Sequence, residues 1–169
     1  EVNSIGVNSS NVDADKGNGG AGIRLIDAST QNQIGGDTNL SANVIRFNKA
    51  GGVVLAGTAE SVRNKISHNR FSRNTGLGID LKADGVTLPS AGGTGPNALL
   101  NMPTEVQTIP LETGMTHTRW MFRAKAPANA SYVEIYLVDS EDSNDNAQSS
   151  GGKSYGEGDQ LLVSVPVVH

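Results

Sequence analysis

The chain contains no cysteine, which excludes disulfide staples and thiol chemistry and argues against a small animal secreted domain. Aromatic residues make up only 4%, so an interior must be assembled from Val, Ile and Leu with few large anchors. No apolar run in the sequence approaches the roughly 20 residues of a membrane-spanning helix. Nor is there a strong excess of either charge. The formal net charge is −4, divided as +1 over residues 1–101 and −5 over residues 102–169. Neither half has the basic surface that nucleic acid or an anionic membrane requires, so no nucleic-acid partner and no membrane insertion are expected. An initiator Met and a leader are also missing at the start, and a mature product or an excised fragment is expected.

What the chain does have is glycine and asparagine. There are 21 Gly and 16 Asn, and 13 of the Asn lie in residues 1–101. Residues that tolerate left-handed backbone, at this density and with short β-type segments between them, describe a tightly winding β chain. Three elements recur. Asn3-Ser4-Ile5-Gly6 returns as Asn32-Gln33-Ile34-Gly35 and more faintly as Asn64-Lys65-Ile66. Gly22-Ile23-Arg24-Leu25 returns as Gly52-Val53-Val54-Leu55 and Gly78-Ile79-Asp80-Leu81, and Asn43-Val44-Ile45-Arg46-Phe47-Asn48 echoes in Asn64-Lys65-Ile66-Ser67-His68-Asn69. A loose period of about 21 to 32 residues predicts a β-solenoid of about three coils, with Ile, Val and Leu inward, Gly and Asn at corners, and Asn amides stacked between coils. An antiparallel sheet with Asn-Gly-rich hairpins is the other arrangement such turn signals allow.

The pieces Asn32-Gln33-Ile34-Gly35-Gly36, Asn43-Val44-Ile45 and Gly52-Val53-Val54-Leu55 resemble the right-handed parallel β-helix repeats of large bacterial surface and secreted proteins. The stretch from Asn74 to Leu81, with Asp84-Gly85-Val86-Thr87 and Gly95 to Pro103, resembles the exit from such a helix. The resemblance implies an immunoglobulin-like β-sandwich after that exit, and Gly156-Glu157-Gly158 is similar to a turn of that sandwich. The fold class expected is therefore all-β: a short right-handed parallel β-helix at 1–100 and a β-sandwich at 101–169. In the second part, Trp120, Phe122 and Ala124 fall on one face of a strand, and Val133, Ile135 and Leu137 on one face of another. Leu161, Val163, Val165 and Val167 mark a third, and a fourth is expected near Glu105–Ile109. About seven strands complete an immunoglobulin-like sandwich, so this one is expected to be incomplete.

Candidate sites are few. Asp139, Glu141, Asp142 and Asp145 alternate oxygen ligands as a calcium loop does, but Asn144 and Ser150 stand where an EF-hand needs Gly and Glu. A solvated hairpin tip explains this loop more simply, and calcium is the one cofactor it suggests. Arg63, Lys65, His68, Arg70 and Arg73 would grip an acidic polysaccharide if they shared a face, whereas a solvated wall is the commoner meaning of such a run. No catalytic residue is assigned: Asp13, Asp15, Asp27, Asp37 and Asp80 form no motif of paired carboxylates. Three coils also give a wall only about 14 Å high.

The function expected is non-enzymatic: a structural or adhesive component of an extracellular or cell-surface assembly, completed by head-to-tail self-association or by a parent polypeptide. The alternative is a fragment of a polysaccharide-binding or polysaccharide-degrading β-helix protein, to which the fold resemblance alone points.

Overall fold

A computed structural model describes residues 2–7, 16–87, 94–100, 102–113, 118–128, 130–138, 148–150, 153–155 and 157–167. Among these the chain is all-β. Fourteen strands accompany short 3-10 turns at Asn39–Ser41 and Pro96–Leu99, with no α-helix.

The first eight strands are β1 (Ser4–Ile5), β2 (Ile23–Asp27), β3 (Gln33–Gly35), β4 (Val44–Arg46), β5 (Val53–Gly57), β6 (Lys65–Ser67), β7 (Arg70–Ser72) and β8 (Ile79–Leu81). They form three parallel sheets in the orders β1-β4-β7, β2-β5-β8 and β3-β6. The chain thus visits the first, second and third sheets in turn and then begins again. Short parallel strands hold together only if both faces find cover, and here the inner faces meet. Ile34, Ile45, Val53, Leu55 and Phe71 form the buried cluster, and Ile5, Ile23, Leu25, Ile66 and Leu81 pack around it.

The register bears out the Gly-apolar repeat and the match of Asn32-Gln33-Ile34 with Asn64-Lys65-Ile66, and corrects the other matches. Ile23-Arg24-Leu25 lies directly on Val53-Val54-Leu55, whose Val53-Val54-Leu55 in turn lies on Ile79-Asp80-Leu81. However, Ser4–Ile5 pairs with Val44–Ile45, not with the Gln33-Ile34 that the sequence suggested. Asn43 and Asn48 stack on Asn69 and Asn74 rather than on Asn64 and Asn69. The corners at Asn3, Asn32, Asn43, Asn64 and Asn69 each place an apolar residue two positions on (Ile5, Ile34, Ile45, Ile66 and Phe71), so sequence likeness alone does not tell one corner from the next.

Two roles also change. The left-handed corner residue is the one before the asparagine: Gln31, Phe47, Arg63, His68 and Arg73 all have φ between 57 and 59°. Asn32, Asn48, Asn64, Asn69 and Asn74 are thereby freed to use their side-chain amides. The glycine before each second-sheet strand is needed for packing: a Cβ on Gly22 would stand 2.6 Å from Ile45 Cγ2, and one on Gly52 2.5 Å from Phe71 Cδ1.

Beyond residue 102 the pairing becomes antiparallel. Strand β9 (Thr104–Thr113), which covers the expected fourth strand, pairs with β10 (Thr118–Lys125). Strand β11 (Tyr132–Leu137) pairs with β14 (Gln160–Pro166), and β12 (Gln148–Ser150) with β13 (Lys153–Tyr155). Pro166 stands at the end of its strand, where its missing N–H is tolerated. The apolar faces read from the sequence are only partly covered. Trp120 is 52% exposed and Phe122 47%, while Val163 and Val165, opposite half-buried Ile135 and Val133, also remain exposed. Each of these pairs is a two-stranded ribbon, and a ribbon without a second layer leaves such a face in water.

Candidate functional site

The most organised chemistry in the molecule is a set of three asparagine columns. In the first, Asn3 Nδ2 donates to Asn43 Oδ1, and Asn43 Nδ2 donates to Asn69 Oδ1, each at 2.9 Å. In the second, Asn18 Nδ2 donates to Asn48 Oδ1 at 2.9 Å and Asn48 Nδ2 to Asn74 Oδ1 at 2.8 Å. In the third, Asn32 donates to Asn64 and Asn64 to Asn97. Backbone N–H groups of Asn18, Asn32, Asn43, Asn48 and Asn64 reinforce the same acceptors. Asn43, Asn48, Asn64, Asn69 and Asn74 are all buried. Such groups persist in an interior only when their donors and acceptors are matched, and the repetition of the corner matches them.

At the far end of the stack the columns meet the second region. Glu157, 3% exposed, accepts the Asn74 backbone N–H at 2.8 Å and its Nδ2 at 2.7 Å. It stands where the next asparagine would stand. A carboxylate accepts hydrogen bonds but has none to donate, so the column ends there. Beside it Gly158 O accepts the Phe71 N–H at 2.7 Å, and Asp159 O accepts Arg70 Nε at 2.8 Å. Arg46 reaches Asp159 Oδ1 at 3.2 Å.

A second carboxylate, Glu134 of β11, docks at the neighbouring corner. It accepts Ser67 Oγ at 2.6 Å, the His68 N–H at 3.2 Å and Tyr136 OH at 2.6 Å. Ser67 Oγ and His68 Nδ1 are 2.7 Å apart, and Nδ1 lies 3.2 Å from Glu134 Oε1. Burial, and then the bond to Glu134, push the Tyr136 phenol far above its ordinary value. Ser, His and Glu together suggest nucleophilic catalysis, but their order is wrong for it. The serine hydroxyl donates its hydrogen bond to the carboxylate directly, whereas a catalytic relay places the imidazole between them. Glu134 is therefore a hydrogen-bond hub joining β11 to the stack.

Between these anchors lies a cavity of about 500 Å³, bounded by Phe71, Leu81, Leu100, Met102 and Tyr136. Its walls are mainly apolar, and the carboxylates on its rim, Glu134 and Glu157, are already engaged.

The five basic candidates do not act as a unit. Exposed Lys65 pairs with Asp37, and this hydrogen bond lowers the Asp37 carboxyl below its ordinary range. His68 faces Glu134, Arg70 holds Asp159, and the Arg73 guanidinium lies 5.6 Å from the centre of the Phe47 ring. Arg63 is an exposed corner residue. The calcium candidates Asp139, Glu141, Asp142 and Asp145 lie outside the described residues, as do Asp13 and Asp15. Asp80, which alternates with Ile79 and Leu81 in its strand, is half-buried: Oδ2 accepts the Gly85 N–H at 3.2 Å while Oδ1 is buried with no partner among the described residues, and burial raises its pKa.

Comparison with protein-family models, with curated proteins and with solved structures finds no match to this chain.

Sequence reasoning missed Glu134 and Glu157 as anchors. Glu134 gave no signal, since an acidic residue alternating with apolar ones in a strand ordinarily faces solvent. Glu157 had one, an acidic residue isolated between Gly156 and Gly158, which was read only as a turn.

Proposed function

We propose that the chain is a non-enzymatic structural component of an extracellular or cell-surface assembly. Its first hundred residues are read as a short right-handed parallel β-helix, and the strands after residue 102 as part of a β-sandwich. The observation that carries this reading is the triple asparagine column. It commits the polar corner residues to holding coil on coil, and repeat-built walls of this type serve as stacking and adhesive surfaces. The chemistry-bearing side chains point the same way. Glu134, Glu157 and Arg46 bind the two regions together, Lys65 pairs with Asp37, and Asp80 is held by its own following turn.

Head-to-tail stacking of copies meets an obstacle at the covered end, where Glu157 occupies the position of the next rung. Assembly through the uncovered end, or through the exposed apolar faces of the ribbons, avoids it.

A panel of uronate and neutral polysaccharides, with immunogold labelling of cells that make the protein, tests the proposal. The expected result is surface label without turnover. Turnover of any polymer that is lost in an Asp80→Asn variant at least as stable as the parent chain would establish the alternative, a polysaccharide-degrading fragment. Label confined to the cytoplasm would remove the surface role.

A further inference from the structure

We infer that the end of the stack formed by Asn3, Asn18 and Asn32 is a docking surface for one further parallel β-coil that carries asparagine at its three corners. This rests on the β-helix reading above and adds to it a partner chemistry and a direction.

The direction comes from the hydrogen bonds. In each column the residue nearer the amino end donates and the residue nearer the carboxyl end accepts. At the carboxyl end the donors of Asn74 are taken by Glu157 and Ile45 O, Asn69 Nδ2 donates to Ile34 O and Ser67 O, and Asn97 Nδ2 turns back to Asn64 O at 2.8 Å. At the amino end the situation is reversed. Among the described residues, no donor reaches Oδ1 of Asn3, Asn18 or Asn32. All three are exposed, while the rungs beneath them, Asn43, Asn48 and Asn64, are buried.

The backbone repeats the pattern: among the described residues β1, β2 and β3 are the outer strands of their sheets at this end and pair on one side only. So do the apolar side chains. Ile5, Ile23 and Leu25 are half-buried, but Ile45, Val53 and Leu55 in the next layer are completely buried. Acceptor side chains, open strand edges and half-covered apolar residues thus coincide on one surface. An incoming coil whose corner asparagines present N–H groups completes all three by strand addition. A second copy of this chain does not present such a set of donors, because Glu157 covers its Asn74 and the side-chain amides of its Asn69 and Asn97 are turned to carbonyls of its own stack.

The test uses the intact chain and a probe coil with the sequence of residues 36–67, which carries Asn43, Asn48 and Asn64. The probe is supplied free in one arm and tethered ahead of Glu1 by a flexible linker in the other, the tether raising its effective concentration to about the millimolar range. Amide exchange is followed in β2 and β3. Docking is expected to slow exchange there at least about tenfold, equivalent to about 1.4 kcal/mol, in either arm. A probe with all three asparagines changed to Ala should not do so. Equal exchange with both probes in both arms overturns the docking surface. Exchange at Asn48 and Asn74 in the unmodified chain is read in parallel. If those interior rungs are protected, failed docking refutes only this inference; if they exchange freely, the coil reading itself fails.

Discussion

The two regions of this chain solve burial in opposite ways. In the stack, a thin interior of Ile, Val, Leu and one Phe is fixed by columns of buried amides. In the ribbons, larger side chains such as Trp120 and Phe122 remain exposed, and among the described residues no comparable column sets their register. Apolar content is therefore a poor guide to which half buries its side chains better. Repetition is the better one, because each rung makes the next rung's polar groups affordable to bury.

The sharpest way to break this contrast is a matched pair of truncations. Leu55→Ala removes a completely buried side chain in the stack and should lower unfolding free energy by roughly 2–5 kcal/mol. Val163→Ala, in a 43% exposed ribbon position, should lower it by less than about 1 kcal/mol. Urea unfolding of both variants measures the difference, and equal losses would refute it.

Next in size is the seam between the regions. Glu157→Ala orphans the buried Asn74 backbone N–H and one of its two Nδ2 protons, the other staying on Ile45 O, at roughly 1–3 kcal/mol. It should also speed amide exchange in β14 more than in β5. Uniform acceleration would mean that Glu157 supports the whole fold and not this junction.

Asp80 gives a smaller, pH-dependent effect. Burial raises its folded pKa above the reference value of 3.8. Stability from this group is therefore fully present below that reference value and is lost as pH rises through the folded pKa. Asp80→Asn should raise the neutral-pH melting temperature by about 2 °C, with the gain disappearing on acidification. A gain independent of pH would contradict this cause.

The smallest expected effect is at a corner. Arg63 adopts φ 58° and is exposed, so Arg63→Gly relieves left-handed strain and should stabilise by at most about 1 kcal/mol. A clear loss would show that the side chain contributes contacts the backbone geometry does not reveal.

Much of the stack was legible from residues. Gly22-Ile23-Arg24-Leu25 and its two counterparts fell into one sheet in register, because a glycine with apolar residues at fixed offsets marks one particular face. The asparagine corners were legible as a class but not individually, since Asn43, Asn64 and Asn69 occupy chemically equivalent turns. The ribbons' strands were legible from alternation, yet the exposure of Trp120 was not. Alternation reports which residues share a face, and says nothing of whether another layer covers it. The anchors were the least legible. Glu134 and the His68 N–H that it accepts are 66 positions apart, and no local pattern connects them.

The columns have one electrostatic consequence. Because every amide-to-amide bond in the columns runs in the same direction, their dipoles add, leaving partial positive charge at the Asn74 end and partial negative charge at the Asn3 end. That is the arrangement of a helix, reproduced by side chains. Glu157 sits at the positive pole as an acidic residue does at a helix amino terminus, so its attraction to the stack exceeds that of its two hydrogen bonds alone. Burial shields it from salt, and the junction should hold at ionic strengths that dissolve surface ion pairs.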